Sequence, residues 1–188
     1  MAVGWQVAAN ADFSVALGAG NKCYGSWSTS FGLNNIANSH ISLANGYGTI
    51  AYYGASTFGN GTRGNGFYSF ATGIGNYSKN YGGAAFGTYN DTTDVGSISA
   101  IDNANRIFVV GNGTADNARS NAMTILQNGN VGIGTNLPDS LLTVSQGIYG
   151  QRGLRLPNLP TGKKAKQLYW DTDGTVYVAD STVGGGLS

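Results

Sequence analysis

The chain has 188 residues, of which 31 are glycine, and a formal net charge of +1. A charge so near zero removes the electrostatic footing for nucleic acid or an anionic membrane as partner, and a single cysteine, Cys23, excludes an intrachain disulfide. Leu, Ile, Val and Phe supply only about a fifth of the residues; a chain so poor in large aliphatics is expected to bury its modest apolar face against further copies of itself.

Residues 1–10 read as an opening coil carrying Trp5 and Val7. Residues 11–93 then repeat one pattern six times, small-x-small-x-Gly, as in Ser14-Val15-Ala16-Leu17-Gly18 and Ser28-Thr29-Ser30-Phe31-Gly32. The closing glycines, Gly18, Gly32, Gly46, Gly59, Gly73 and Gly87, are spaced by 14, 14, 13, 14 and 14 residues. A fixed short period is the mark of a solenoid, each repeat being one coil stacked on its neighbours. Side chains alternate faces along a strand, so Ser14 and Ala16 share one face, where only small residues fit. Leu17, Phe31, Phe58 and Phe86 lie on the other. Each closing glycine is expected to end its strand. Further glycines such as Gly25 and Gly66 suggest two short strands and two corners per repeat, with Cys23 half-buried at a corner. Helix is excluded by the glycine content, at roughly 1 kcal/mol for each interior glycine, by the absence of any Glu, and by the lack of apolar residues at i, i+3, i+4 and i+7.

Residues 94–146 read as a hairpin connector. Ser97–Ile101 and Ile107–Val110 are β-rich runs. Two apolar strands flank Asn128-Gly129, a strong hairpin signal, and Leu141–Val144 follows a Pro138-Asp139 turn. Residues 147–188 read as a small β tip with a glycine-rich tail, its strands Gln167–Trp170 and Thr175–Ala179 flanking Asp173-Gly174.

No catalytic set emerges. His40 is the one histidine and falls at a repeat corner; the acid pairs Asp91/Asp94 and Asp171/Asp173 sit where aspartates form turns. No metal site and no cofactor are expected. Tyrosines stand out instead, concentrated in the corner segments. On a rigid neutral surface they suit sugar stacking or protein hot spots, or they brace the corners. The candidate receptor-binding side chains are Tyr52, Tyr53, Tyr68, Tyr77, Tyr81, Tyr169, Trp170 and Tyr177.

The Ser-Val-Ala-Leu-Gly repeat resembles the head of YadA-type trimeric autotransporter adhesins. The run Arg119-Ser120-Asn121-Ala122-Met123-Thr124-Ile125-Leu126-Gln127-Asn128-Gly129-Asn130-Val131-Gly132-Ile133-Gly134 resembles a segment of phage tail fibres and related surface fibres, as does Arg152-Gly153-Leu154-Arg155-Leu156-Pro157 after it. The resemblance implies an all-β, elongated homotrimer: a left-handed parallel β-roll, then an interwoven β-hairpin region, then the tip. It implies a tail-fibre segment of a phage or phage-like injection particle, outside the cell, attaching to a bacterial surface glycan or protein without membrane insertion or catalysis. A bacterial adhesin head, a polysaccharide-cleaving spike and a plain spacer are the rivals.

Overall fold

The computed structural model describes residues 1–93 and 96–145 in full, and the backbone of Lys166–Trp170 and Val176–Asp180. Its contacts divide the chain into two units, Met1–Ile148 and Tyr149–Ser188.

In the first unit each coil gives a long strand and then a two-residue strand. The pairs are β1 (Ala2–Trp5) and β2 (Ala8–Ala9), β3 (Val15–Ala19) and β4 (Lys22–Cys23), β5 (Thr29–Leu33) and β6 (Ile36–Ala37), and β7 (Leu43–Tyr47) and β8 (Ile50–Ala51). They continue with β9 (Ser56–Asn60) and β10 (Arg63–Gly64), β11 (Phe70–Ile74) and β12 (Tyr77–Ser78), and end on β13 (Ala84–Thr88). Long strands pair in parallel with long, short with short, each residue beside its repeat equivalent: Ala16 with Ser30, Gly18 with Gly32. The result is an extended, repetitive parallel β-solenoid. Residues 1–10 join both of its sheets through β1 and β2.

The interior is thin because the alternation puts only small side chains inside. Ala16, Ala44, Ala71 and Ala85 from the long strands are buried, as are Ala37 and Ala51 from the short ones. Cys23 belongs to this interior: it lies on β4 with no exposed surface, rather than half-buried at a corner. Burial pushes its thiol pKa up, and the thiol donates to the Val15 carbonyl at 3.1 Å.

A polar ladder holds one corner of every coil after the first, where Val7 takes the place. Asn21, Asn35, Thr49, Thr62, Asn76 and Asn90 are buried and follow a residue of positive φ, such as Gly20, Asn34 or Gly48. Asn35 N–H donates to Asn21 Oδ1 (2.9 Å), and Thr49 N–H donates to Asn35 Oδ1 (2.9 Å). The amide of Asn35 donates in turn to the carbonyls of Phe31 and Gly46, both at 2.7 Å. Corner groups that the strands leave unpaired are satisfied this way, as burial demands.

The repeated glycine does not end its strand. Gly18, Gly32, Gly46, Gly59 and Gly73 are each the fourth residue of a five-residue strand. There φ is positive, 119° at Gly18 and 131° at Gly46. A Cβ at Gly46 would stand 2.0 Å from the Gly59 carbonyl oxygen. Glycine is required twice over, by the dihedral and by the approach of the next coil.

Beyond the repeats the long sheet continues without a break. β14 (Arg106–Asn112) pairs in parallel with β13, then β15 (Asn121–Leu126) and β16 (Val131–Ile133) follow as antiparallel strands around Asn128-Gly129. β17 (Leu142–Val144) closes the sheet parallel to β16. Ser97–Ile101 is not a strand. It is a loop whose Ile98 and Ser97 carbonyls accept from the Phe67 and Tyr81 N–H groups, taking the place of the next coil at that corner. In the second unit β18 (Lys166–Trp170) and β19 (Val176–Asp180) form the antiparallel pair that Asp173-Gly174 signals.

Candidate functional site

Two corners of the solenoid carry the side chains that sequence singles out. The first lies between each short strand and the following long one. There a turn closes with an i to i+3 hydrogen bond, as from Ser28 N–H to the Gly25 carbonyl (3.3 Å). The residue before the closing one has positive φ: Phe13 55°, Trp27 61°, Ile41 58°, Tyr68 57° and Gly82 62°. Turns want Gly or Asn at such a place, and a bulky residue held there costs roughly 1–2 kcal/mol. Two corners use glycine there, Gly82 and, where the corner is one residue shorter, Gly54 before the closing Ala55. The others project large apolar side chains into solvent, Phe13 being 72%, Trp27 58%, Ile41 61% and Tyr68 66% exposed.

Three of these side chains, Phe13, Trp27 and Tyr68, make ring contacts from coil to coil. Phe13 stacks on Trp27 with ring centroids 4.4 Å apart. Further along, Tyr52, Tyr53, Phe67, Tyr68 and Tyr81 form an unbroken chain of ring contacts at 6.0, 4.3, 6.4 and 5.9 Å. The chain begins at the one corner a residue shorter than the rest, Tyr52-Tyr53-Gly54-Ala55, where Tyr53 and Gly54 both have positive φ. The structure thus brings together Tyr52, Tyr53, Tyr68 and Tyr81 of the candidates. It adds Phe67 at their centre, a residue whose only sequence signal was its place in a corner segment.

Tyr77 belongs to the other corner. The Arg63 guanidinium lies 5.0 Å and the Arg119 guanidinium 4.4 Å from its ring centroid. Arg119 reaches back from the connector to donate to the Gly75 carbonyl (2.8 Å) and the Asn90 carbonyl (3.1 Å), and it pairs with Asp116. Tyr169 and Tyr177 oppose each other across β18 and β19, with Trp170 beside Tyr169; their side chains, like Asp94, Asp171 and Asp173, lie outside the described residues.

His40 is exposed in a turn, and among the described residues no three His, Cys, Asp or Glu side chains group to hold a metal ion. Asp91 serves structure. Its carboxylate is 3.0 Å from buried Arg106 and accepts from the Thr93 N–H at 3.0 Å. Partial burial pushes its pKa up, but hydrogen bonds from Asn136 and Thr93 and the Arg106 charge outweigh that and hold it below the usual carboxylate range.

A third surface is the outer face of the long sheet. Phe58, Phe70, Phe86 and Phe108 climb it with centroids 5.7, 5.6 and 5.4 Å apart. All four are half-buried, as are Val15, Leu17, Phe31 and Leu43 on the same face.

Compared with protein-family models, with curated proteins and with solved structures, the chain matches none. The functional reading therefore stands on this geometry: a repetitive β-solenoid, a scaffold of structural or adhesive type, bearing a continuous aromatic strip.

Proposed function

We propose that this chain is the receptor-binding segment of a trimeric attachment fibre, carried by a phage or phage-like injection particle and directed at a bacterial surface. The observation that carries the reading is the aromatic strip from Tyr52 to Tyr81. Its exposed side chains are held by a rigid backbone in conformations that bulky residues resist. Strain of this kind persists where the surrounding structure over-determines it, and it concentrates at functional positions. Aromatic faces on a neutral surface suit the apolar faces of sugars and the anchors of protein partners. Repeated copies on one fibre add avidity without new contacts.

The trimer rests on the phenylalanine face. The thin interior of small residues leaves the largest apolar side chains, Phe58, Phe70, Phe86 and Phe108, outside the coil. Burying such a side chain fully is worth about 1.5–3 kcal/mol, and sister chains around an axis supply the cover. Attachment of this kind requires no bond to be made or broken.

The test is retention of the labelled protein on a panel of bacterial cells of differing envelope chemistry. Saturable retention on some of them, lost on combined Tyr53→Ala and Tyr68→Ala substitution, is the expected result. Retention on none, or retention unaffected by the pair, would contradict the reading.

A further inference from the structure

At the corner that holds the asparagine ladder, the residues of positive φ are Gln6, Gly20, Asn34, Gly48, Gly61, Gly75 and Tyr89 in successive coils. Two consecutive coils, at Gly48 and Gly61, therefore present bare backbone, and Gly75 beside them lies under the Tyr89 ring. A Cβ placed on Gly48 or Gly61 would meet no atom within 4 Å, whereas one on Gly20 would run into the Asn34 side chain and one on Gly75 into the Tyr89 ring. The missing side chains leave an open cleft of about 230 Å³ with a glycine floor. At about 4.8 Å per coil, its lining from Gly48 to Gly75 runs for about 10 Å.

Its walls are polar and charged. Arg63 lines it, exposed, its guanidinium carbon over the Tyr77 ring at 5.0 Å from the centroid and without an ion-pair partner among the described residues. Asn60 flanks it and Asp116 closes the far end, its carboxylate 80% exposed. Arg119, which also contacts the Tyr77 and Tyr89 rings, is engaged with two carbonyls and Asp116. The cleft thus offers one uncommitted, planar cation beside hydroxyl-binding groups.

We infer that this cleft binds an acidic glycan, with a sugar carboxylate paired to Arg63 and neighbouring hydroxyls donating to Asp116 and Asn60. A guanidinium stacked on an aromatic ring keeps its N–H edge free for a carboxylate in a bidentate pair. One available cation matches one carboxylate; a doubly charged phosphate would call for a second, and Arg119 is already taken. A flat backbone floor gives a pyranose ring close approach without a side chain to displace. The inference deepens the attachment reading, on which it rests for the presence of glycan, and it names the class of receptor.

The experiment uses the full chain against immobilised oligosaccharides of galacturonic, glucuronic and N-acetylneuraminic acid, with neutral galactose and glucose oligomers beside them. At least one acidic series is expected to bind and the neutral ones not. Arg63→Gln should weaken that binding about tenfold or more, the loss of a charge-assisted pair. Gly61→Asn should do the same by filling the cleft, since Asn34 already occupies the equivalent place at φ 58°. Both variants should keep the parent's melting temperature and mass. Binding to no acidic series, equal binding to neutral ones, or variants that bind as the parent does would overturn the inference. A change in mass in either variant would do so too, by making the cleft a contact between copies. Cell retention that survives both substitutions but not Tyr53→Ala with Tyr68→Ala sinks the cleft and leaves the fibre. Arg63-dependent glycan binding by a protein that no cell retains does the reverse.

Discussion

Tyr53 stacks on Phe67 with ring centroids 4.3 Å apart and planes inclined by 23°. The pair links the short corner to the next coil and lies at the centre of the aromatic strip. If the strip binds, Phe67→Ala should reduce cell retention as strongly as Tyr53→Ala does. Each single change is expected to cost about tenfold in affinity, the scale of an aromatic hot spot. Retention assays on the two single variants check this, and a Phe67→Ala protein that binds like the parent would confine the site elsewhere.

Ile41 occupies the strained turn position with φ 58° and a β-branched side chain that is 61% exposed. Ile41→Asn should therefore stabilise the fold by about 1 kcal/mol, since Asn tolerates this backbone region and little packing is lost. Thermal melts would show an upward shift; a downward one would mean that Ile41 packs against another copy.

Gly46 should be intolerant. Gly46→Ala places a methyl 2.0 Å from the Gly59 carbonyl oxygen at a φ of 131°. Backbone must move across two coils, at a cost above about 3 kcal/mol. Loss of the folded circular-dichroism signal at temperatures where the parent is intact is the expected outcome.

Asp91 makes stability depend on pH: against the upward push of burial, hydrogen bonds from Asn136 and Thr93 and the Arg106 charge lower its pKa in the folded chain. Its lowered folded-state pKa means the unfolded chain takes up the proton first as acid is added. The contribution is therefore whole above the ordinary aspartate value of 3.8 and is lost as pH falls through the folded value. Asp91→Asn should lower the melting temperature at pH 7 and have a progressively smaller effect as pH is taken below 3.8. Equal shifts throughout would assign the effect to packing.

Much of this architecture is legible in the residues because a solenoid is written as a period. The small-x-small face of Ser14 and Ala16, the outward Leu17 and Phe31, and the hairpins at Asn128-Gly129 and Asp173-Gly174 all lie where local spacing and turn chemistry put them. The glycine's place inside its strand was hidden, since a pattern of letters does not separate a strand's end from a close approach to the coil above. Cys23 is read correctly only once β4 is known to face inward. Ser97–Ile101 has strand-forming residues but no partner strand to pair with; Phe67 and Tyr81 take its carbonyls instead. The aromatic strip was half legible: the tyrosines cluster in corners, but which corner each turns toward depends on two columns of positive φ. Tyr77 and Tyr68, nine residues apart, face different sites for that reason. The cleft beside Tyr77 was invisible, because Arg119 comes from a distant part of the chain and the floor is made of side chains that are absent.

The central claim is that three copies cover the outward phenylalanine face. Light scattering on the native protein at micromolar concentration tests it most directly. The account predicts a mass three times the 19.4 kDa of one chain, falling to a single chain when Phe70 and Phe86 are both replaced by Asp. A native protein that scatters as one folded chain of 19.4 kDa would contradict it.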